Sequence, residues 1–295
     1  MSHRDVAFAV GKDYHLGDLL WLTVVVQRYR QICRPRSVWL VLPNRPISRI
    51  LEHHPFLDGL VYGLSGDGLR RLRAMFGPSL IVHDLRPLPV ARSMLADYRR
   101  YRPWLYYRDL WLQPRGQWLA TYLGLGTLEH FRPSIVLTHE DRGALTMPNS
   151  PYVVLAPHTG SFTLPGISRL WRRIKGWDMD NWRSLANGLR RVGVEPVTLG
   201  QAGQPVVPGS RAVVGLPIRQ AAAVIESASA LITGESGLWF VAAATRTPFV
   251  IVPWWLPASV DWAGPMEVPY RLVRRDEASP ETVYRRLQEI LHCAC

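Results

Sequence analysis

The chain is poor in cysteine: Cys33, Cys293 and Cys295 are an odd number without a regular spacing, which excludes the disulfide framework of a small secreted protein. The terminal "HCAC" falls short of the four regularly spaced ligands of a structural metal site, so a frayed tail and no metal are expected. Long hydrophobic runs are lacking as well. No stretch approaches the about 20 apolar residues of a membrane span, and "MSHRDVAFAVGKD" has neither the apolar length nor the small-residue cleavage site of a signal peptide. A cytoplasmic protein is expected. Acidic residues are also scarce, 23 Asp and Glu against 35 Lys and Arg, and the net charge of +12 asks for an anionic partner such as a nucleotide, an acidic lipid head group or nucleic acid. What is plentiful is apolar: 47% hydrophobic against 20% charged residues argues against disorder, and 295 residues suffice for two domains.

Short β-branched runs alternate with helical patterns, which favours a parallel sheet over a sandwich. In the first half, strands are expected at 6–11, 37–43, 57–63 and 79–86. Helices are expected from 16 to about 31, at 46–54 and at 66–77, with a helical, Trp-, Tyr- and Arg-rich stretch over 87–130. The run "HEDRGALTMPNSP" at 139–151 combines charge, Gly and two prolines and reads as a break. The domains expected are 1–145 and 146–295. The second half repeats the logic, with strands at 152–158, 195–200, 211–216, 230–234 and 248–253. Its helices fall at 179–193, 218–228, 236–245 and 279–292, the last with Ser279 as N-cap and Pro280 at the first helical position. The fold class is α/β, two Rossmann-like halves facing a cleft.

In such sheets ligands bind beyond the carboxyl ends of the strands, so the strand-to-helix turns hold the candidates. "LGDLLWLTVVVQRYRQ" opens with Gly17-Asp18. Asp18 reads either as a helix N-cap or as a general base, and Gly17 lets an acceptor approach the backbone. Asp13 and His15 share the loop. "TGESGLWFVAAA" presents Glu235, Ser236 and Gly237 before an apolar helix, with Ser236 as cap and the helix amides open to an anion. "APHTGSF" places Thr159, Gly160 and Ser161 at another strand end, where they suit phosphate oxygens. Lys175 reads as a surface lysine or as the cation a departing diphosphate needs. Arg100, Arg102 and Arg108 interleave with Tyr101, Trp104, Tyr106 and Tyr107, either as a solvated face with snorkelling arginines or as a surface for stacking on bases or sugars.

These motifs fall in the order of one family. Gly17-Asp18 before an apolar helix, "HHPFLDGLVYG", "LIVHDLR", Lys175-x-Trp177 with Trp182 following, and Ser236-Gly237 before an Ala-rich helix and Thr247-Pro248 together resemble the heptosyltransferase-like glycosyltransferases. The resemblance covers most of the chain and implies a two-domain GT-B fold. It implies inverting, metal-independent transfer of a sugar from a nucleotide-diphosphate donor to an acceptor hydroxyl, with no cofactor. By the same resemblance Asp18 is the catalytic base and Lys175 faces the donor phosphates. Thr159, Ser161, Pro217, Glu235, Ser236 and Gly237 fall on the donor side, and His15, Gly17, Arg100, Arg102 and Arg108 on the acceptor side. The acceptor implied is lipopolysaccharide or another anionic, lipid-linked glycan, with peripheral membrane contact at the inner face. The sequence departs from the family at Glu235, where Asp is usual, and at Phe240, where His is usual. It also has a longer loop between Ser161 and Lys175 and no acidic residue after Gly200 to bind a ribose. Two other readings stand beside this one: a glycosyltransferase acting on hydroxylated DNA bases, and an inactive protein that binds nucleotide sugars or nucleic acid.

Overall fold

A computed structural model of the chain describes residues 4–12, 14–63, 65–86, 115–143, 147–148, 150–158, 176–254, 263 and 266–292. The chain forms two compact units, Met1–Val136 with Ser259–Pro265, and Leu137–Ala258 with Met266–Cys295. The division at 136/137 assigns residues 137–143 to the second unit. Among the described residues no helix is long and apolar enough to cross a membrane.

The first unit is a parallel sheet of β1 (Asp5–Val10), β2 (Ser37–Leu42), β3 (Gly59–Tyr62) and β4 (Ile81–Leu85), in the order β3-β2-β1-β4. β1 is buried along its whole length, as a central parallel strand covered on both faces should be. Ala7 and Ala9 face α2 (Ser65–Phe76) through Leu72. On the other face Phe8 meets Tyr29 of α1 (Leu16–Cys33) edge-on and stacks on His83 of β4. Burial pushes the Tyr29 hydroxyl up to about 12 and holds the His83 imidazole below its ordinary value.

α1 is buried from Gly17 through Val26, and each Leu or Val so buried contributes roughly 1.5–3 kcal/mol. It ends at Arg34, in the left-handed conformation, with Pro35 following as a stop. α3 (Arg115–Tyr122) packs on α1 where Gly116 makes room for Trp21: a Cβ at 116 would lie 2.4 Å from the indole. The helix expected to run to 130 therefore covers only Arg115–Tyr122 among the described residues. Gly124 and Gly126, at φ +69° and +70°, turn the chain away. Ser134 then ties the returning segment to this unit. Its N–H donates to Thr23 Oγ1 at 3.1 Å, and its hydroxyl lies 2.8 Å from His54 Nε2. Because His54 Nδ1 accepts the Phe56 N–H, Nε2 carries the hydrogen. Burial pushes the His54 pKa down to about 4.

The second unit is a six-stranded parallel sheet of β5 (Tyr152–Ala156), β6 (Glu195–Gly200), β7 (Arg211–Val214), β8 (Ala230–Thr233), β9 (Phe249–Trp254) and β10 (Tyr270–Arg274), ordered β10-β9-β8-β5-β6-β7. One face, with Val153, Leu155, Ile232, Val250 and Val252, packs on Trp182, Leu185 and Leu189 of α5 (Met179–Arg191) and on Val283, Leu287 and Ile290 of α8 (Pro280–His292). α6 (Ile218–Glu226) and α7 (Leu238–Thr245) join the same unit. Ser279 caps α8, its Oγ accepting the Thr282 N–H at 3.1 Å.

The short α4 (His139–Gly143) is clamped to α6 by two oppositely directed pairs. Arg219 donates to both oxygens of Asp141 at 3.0 and 2.5 Å, and Arg142 grips both oxygens of Glu226 at 2.6 and 2.9 Å. Burial raises the Asp141 pKa, but the Arg219 guanidinium and the Thr138 amide and hydroxyl outweigh it and bring the carboxyl to about 2.

Candidate functional site

In a doubly wound sheet the crevice for a ligand opens where neighbouring strands send their connections to opposite sides. Both sheets have such a point, and each follows from strand order. In the first, β1 leads to β2 and β3 on one side while β4 lies on the other. In the second, β5 leads to β6 and β7 while β8 and β9 lie on the other. The loops to inspect therefore follow β1 and β4 in one unit, and β5 and β8 in the other.

The loop after β1 delivers His15, Gly17 and Asp18. His15 is the N-cap of α1, so Asp18 occupies the third helical position rather than the cap itself. The Asp18 carboxylate is buried, 4% exposed, and its Oδ2 accepts the His15 N–H at 2.9 Å. It thus satisfies one of the amides that a helix start leaves open while lying at the carboxyl end of the central strand. Asp13 lies outside the described residues.

Two features of this crevice were not singled out in the sequence. Arg45, in the loop after β2, donates from Nη1 to the carbonyls of Lys12 (2.6 Å) and Tyr14 (3.2 Å), gripping the loop that leads to Asp18. At the end of β4, Asp84 takes Arg86 in a bidentate pair at 2.8 and 3.0 Å. Applying the strand-end rule to β2 and β4 as well as to β1 finds all three residues.

The loop after β8 carries Glu235, Ser236 and Gly237. Its N-cap is Gly237, not Ser236 as expected, and the φ of −64° there is open to any residue. Four groups run in one direction. The Leu238 N–H donates to Ser236 Oγ (3.3 Å), Ser236 and Thr233 share a hydrogen bond (3.0 Å), and Thr233 Oγ1 reaches the Ala156 carbonyl (3.3 Å) at the end of β5. A carbonyl only accepts, so the Thr233 proton goes to Ala156 and the Ser236 proton to Thr233. The Ser236 hydroxyl is committed inward as a donor. An anion at this turn would instead meet the N–H groups of Ser236 and Gly237, which have no partner among the described residues, at the positive end of α7.

Phe240, where the resemblance has His, is buried and stacked on Trp239 at 3.6 Å between centroids. Pro217 is the N-cap of α6, its carbonyl accepting the Ala221 N–H at 2.9 Å. It follows β7, three strands from β8, so strand order does not bring it to residues 235–237. Thr159, Ser161, Lys175, Arg100, Arg102 and Arg108 lie outside the described residues. Trp177, two residues beyond Lys175, is fixed by its Nε1–H to the Ala278 carbonyl (3.0 Å) and by an edge contact with Trp182.

Against known proteins, no protein-family model matches the chain, and no curated protein matches it significantly. Solved structures do. A glycosyl transferase family 9 structure from Veillonella parvula is similar at a TM-score of 0.72 and 16% identity, over 99% of this chain and 98% of that one. The E. coli ADP-heptose LPS heptosyltransferase II is similar at 0.65 and 18%, over 98% and 99%. An E. coli heptosyltransferase with ADP is similar at 0.61 and 16%, over 97% and 99%. The chain has the GT-B fold. Nearly complete coverage in both directions means that both Rossmann-like units of the GT-B fold are present, each with its own switch point. At these identities the likeness speaks for the fold alone.

Proposed function

We propose that this GT-B protein is a glycosyltransferase that moves a sugar from a nucleotide-diphosphate donor to an acceptor hydroxyl, inverting the anomeric centre without a metal. The observation that carries this reading is the pairing of unlike switch points. One unit presents a buried carboxylate, Asp18, at the end of its central strand. The other presents a turn of open amides at the start of an apolar helix. The first suits proton removal, and the second suits a diphosphate.

In this scheme the acceptor oxygen attacks the anomeric carbon as its proton passes to the Asp18 carboxylate. The bond from that carbon to the phosphate oxygen breaks with its electrons going to the nucleoside diphosphate. Lys175 and the Ser236 and Gly237 amides meet the charge that develops on the leaving group. Arg45 keeps the backbone before Asp18 in place. The acceptor implied by the family resemblance is an anionic, lipid-linked glycan met at the inner face of the membrane, with Arg100, Arg102 and Arg108 as its contacts, and the net charge of +12 suits such an anionic partner.

The experiment is release of nucleoside diphosphate from ADP-heptose and from ADP-, UDP- and GDP-hexoses, with and without a chelator, in the presence of extracted bacterial glycolipids or of DNA carrying hydroxymethylated bases. Release that needs glycolipid and survives the chelator supports the reading. Release that needs DNA moves the acceptor to nucleic acid. Binding of a sugar nucleotide without release under any condition points to an inactive binding protein.

A further inference from the structure

The second unit carries a side chain at its strand ends that the scheme above leaves unused. His158 lies two residues beyond β5, half-buried, beside the switch point. Its Nε2 is 2.7 Å from the Pro205 carbonyl in the loop that follows β6. Since a carbonyl only accepts, Nε2 bears the hydrogen, and the neutral ring is left with Nδ1 as an acceptor. Nδ1 has no partner among the described residues. The loop that holds the ring is itself closed, with the Gln201 N–H donating to Gln204 Oε1 at 2.7 Å and the Gln204 N–H to the Gln201 carbonyl at 3.1 Å. Gly200, the last residue of β6, leaves room for this closure: a Cβ there would lie 2.9 Å from Gln204 Oε1 and 3.7 Å from His158 Cδ2. The imidazole therefore bridges the ends of the first and second strands of this unit.

In nucleotide-binding sheets of this winding, the segment after the second strand usually supplies a carboxylate that takes a ribose hydroxyl. Here residues 201–210 contain neither Asp nor Glu. We propose that His158 Nδ1 fills that part, accepting a ribose hydroxyl of the nucleotide while Nε2–H keeps the ring on Pro205. The inference rests on reading the second unit as the donor site. A bare ring nitrogen suits a hydroxyl, which brings a proton. It does not suit a phosphate oxygen, which offers only lone pairs, so His158 selects for the sugar of the nucleotide and adds nothing to general anion affinity.

The test is calorimetry with ADP, GDP, UDP and CDP, each against its 2′-deoxy and 3′-deoxy form. The wild-type protein should favour the ribonucleotide over one deoxy form by roughly three- to tenfold, the span of one neutral hydrogen bond. His158→Gln places an amide N–H near Nε2 and keeps the Pro205 contact without the acceptor, so that preference should vanish while affinity for the deoxy form is unchanged. His158→Asn places an amide oxygen near Nδ1 and should restore it in part. His158→Ala should behave as the Gln variant, and where it unfolds the Gln variant decides. Equal affinity of the wild-type protein for ribo and deoxy forms, or a preference that survives in His158→Gln, overturns the inference and leaves the donor site standing. Failure of the wild-type protein to bind any nucleoside diphosphate overturns the donor reading, and the inference with it.

Discussion

At the end of β1 the loop is held by ions, with the Arg45 guanidinium on two carbonyls and the Asp18 carboxylate on the His15 amide. At the end of β8 the loop is held by a relay of neutral hydroxyls that ends on a carbonyl of the next strand. The difference matches the chemistry proposed for each. A site that removes a proton needs a carboxylate and can use it twice, for helix and for catalysis. A site that receives a diphosphate can have its hydroxyl protons turned inward, so that backbone N–H groups face the ligand.

The comparison breaks first at Asp18. Asp18→Asn keeps an oxygen that can accept the His15 N–H, so the start of α1 should survive, and only the charge is lost. Turnover should fall roughly 10²–10⁴-fold with nucleoside diphosphate affinity intact. Wild-type turnover in a folded Asp18→Asn protein would reduce the carboxylate to a helix-start residue.

Acid separates the units next. His54, in the first unit, has a folded pKa pushed down to about 4 by burial, against an ordinary value of about 6.5. Between these values the unfolded chain binds the extra proton, so the stability it contributes is full above about pH 6.5 and is lost as pH falls towards 4. The shift corresponds to about 3 kcal/mol. Asp141, in the second unit, is also depressed, to about 2. Its contribution is present above the ordinary carboxylate value and is lost only as pH falls through that lower range. Hydrogen exchange followed from pH 7 to 3 should show the first unit loosening before the second, and His54→Gln should flatten the first step. Simultaneous loosening of both units, unchanged by His54→Gln, would contradict the assignment.

Gly237→Val sharpens the contrast at the other site. The backbone there tolerates a side chain, so the fold should hold, while nucleoside diphosphate affinity should drop roughly tenfold as the amides are screened. An unchanged dissociation constant in calorimetry would place the anion elsewhere. The smallest effect is expected at Arg45. Arg45→Ala should speed hydrogen exchange at the Tyr14 and His15 amides roughly fivefold, as one hydrogen-bonded restraint of about 1 kcal/mol is removed, with the loop after β8 unaffected. Exchange at both loops rising together would mean that Arg45 supports the protein generally.

Much of the fold was legible because it is written locally. β5 and β9 are continuous apolar runs and β1 and β8 depart from that only at Asp5 and Thr233, α5 and α8 alternate apolar and polar faces, and the Ser279-Pro280 start was read correctly to the residue. Where the reading failed, local pattern was silent or misleading. β10, "YRLVR", is an edge strand with two arginines that exists through its pairing with β9. The aromatic, basic run to 130 looked helical, but two glycines in the left-handed region end α3 first.

The candidate site divides in the same way. That Gly17-Asp18 and residues 235–237 sit where a strand turns into a helix follows from the sequence, since periodicity changes from two to 3.6 on either side of each. That these loops, and not those after β3 or β7, stand at the openings of the sheets was decided by strand order, which arises from long-range pairing between segments with no mark of it in their own residues. The same holds for Arg45 reaching Lys12 across a separation of 33 residues, for His158 reaching Pro205 across 47, and for the Ser236 proton turning inward. A residue's type limits which hydrogen bonds it can make. Which one it makes depends on the carbonyl that tertiary packing sets beside it.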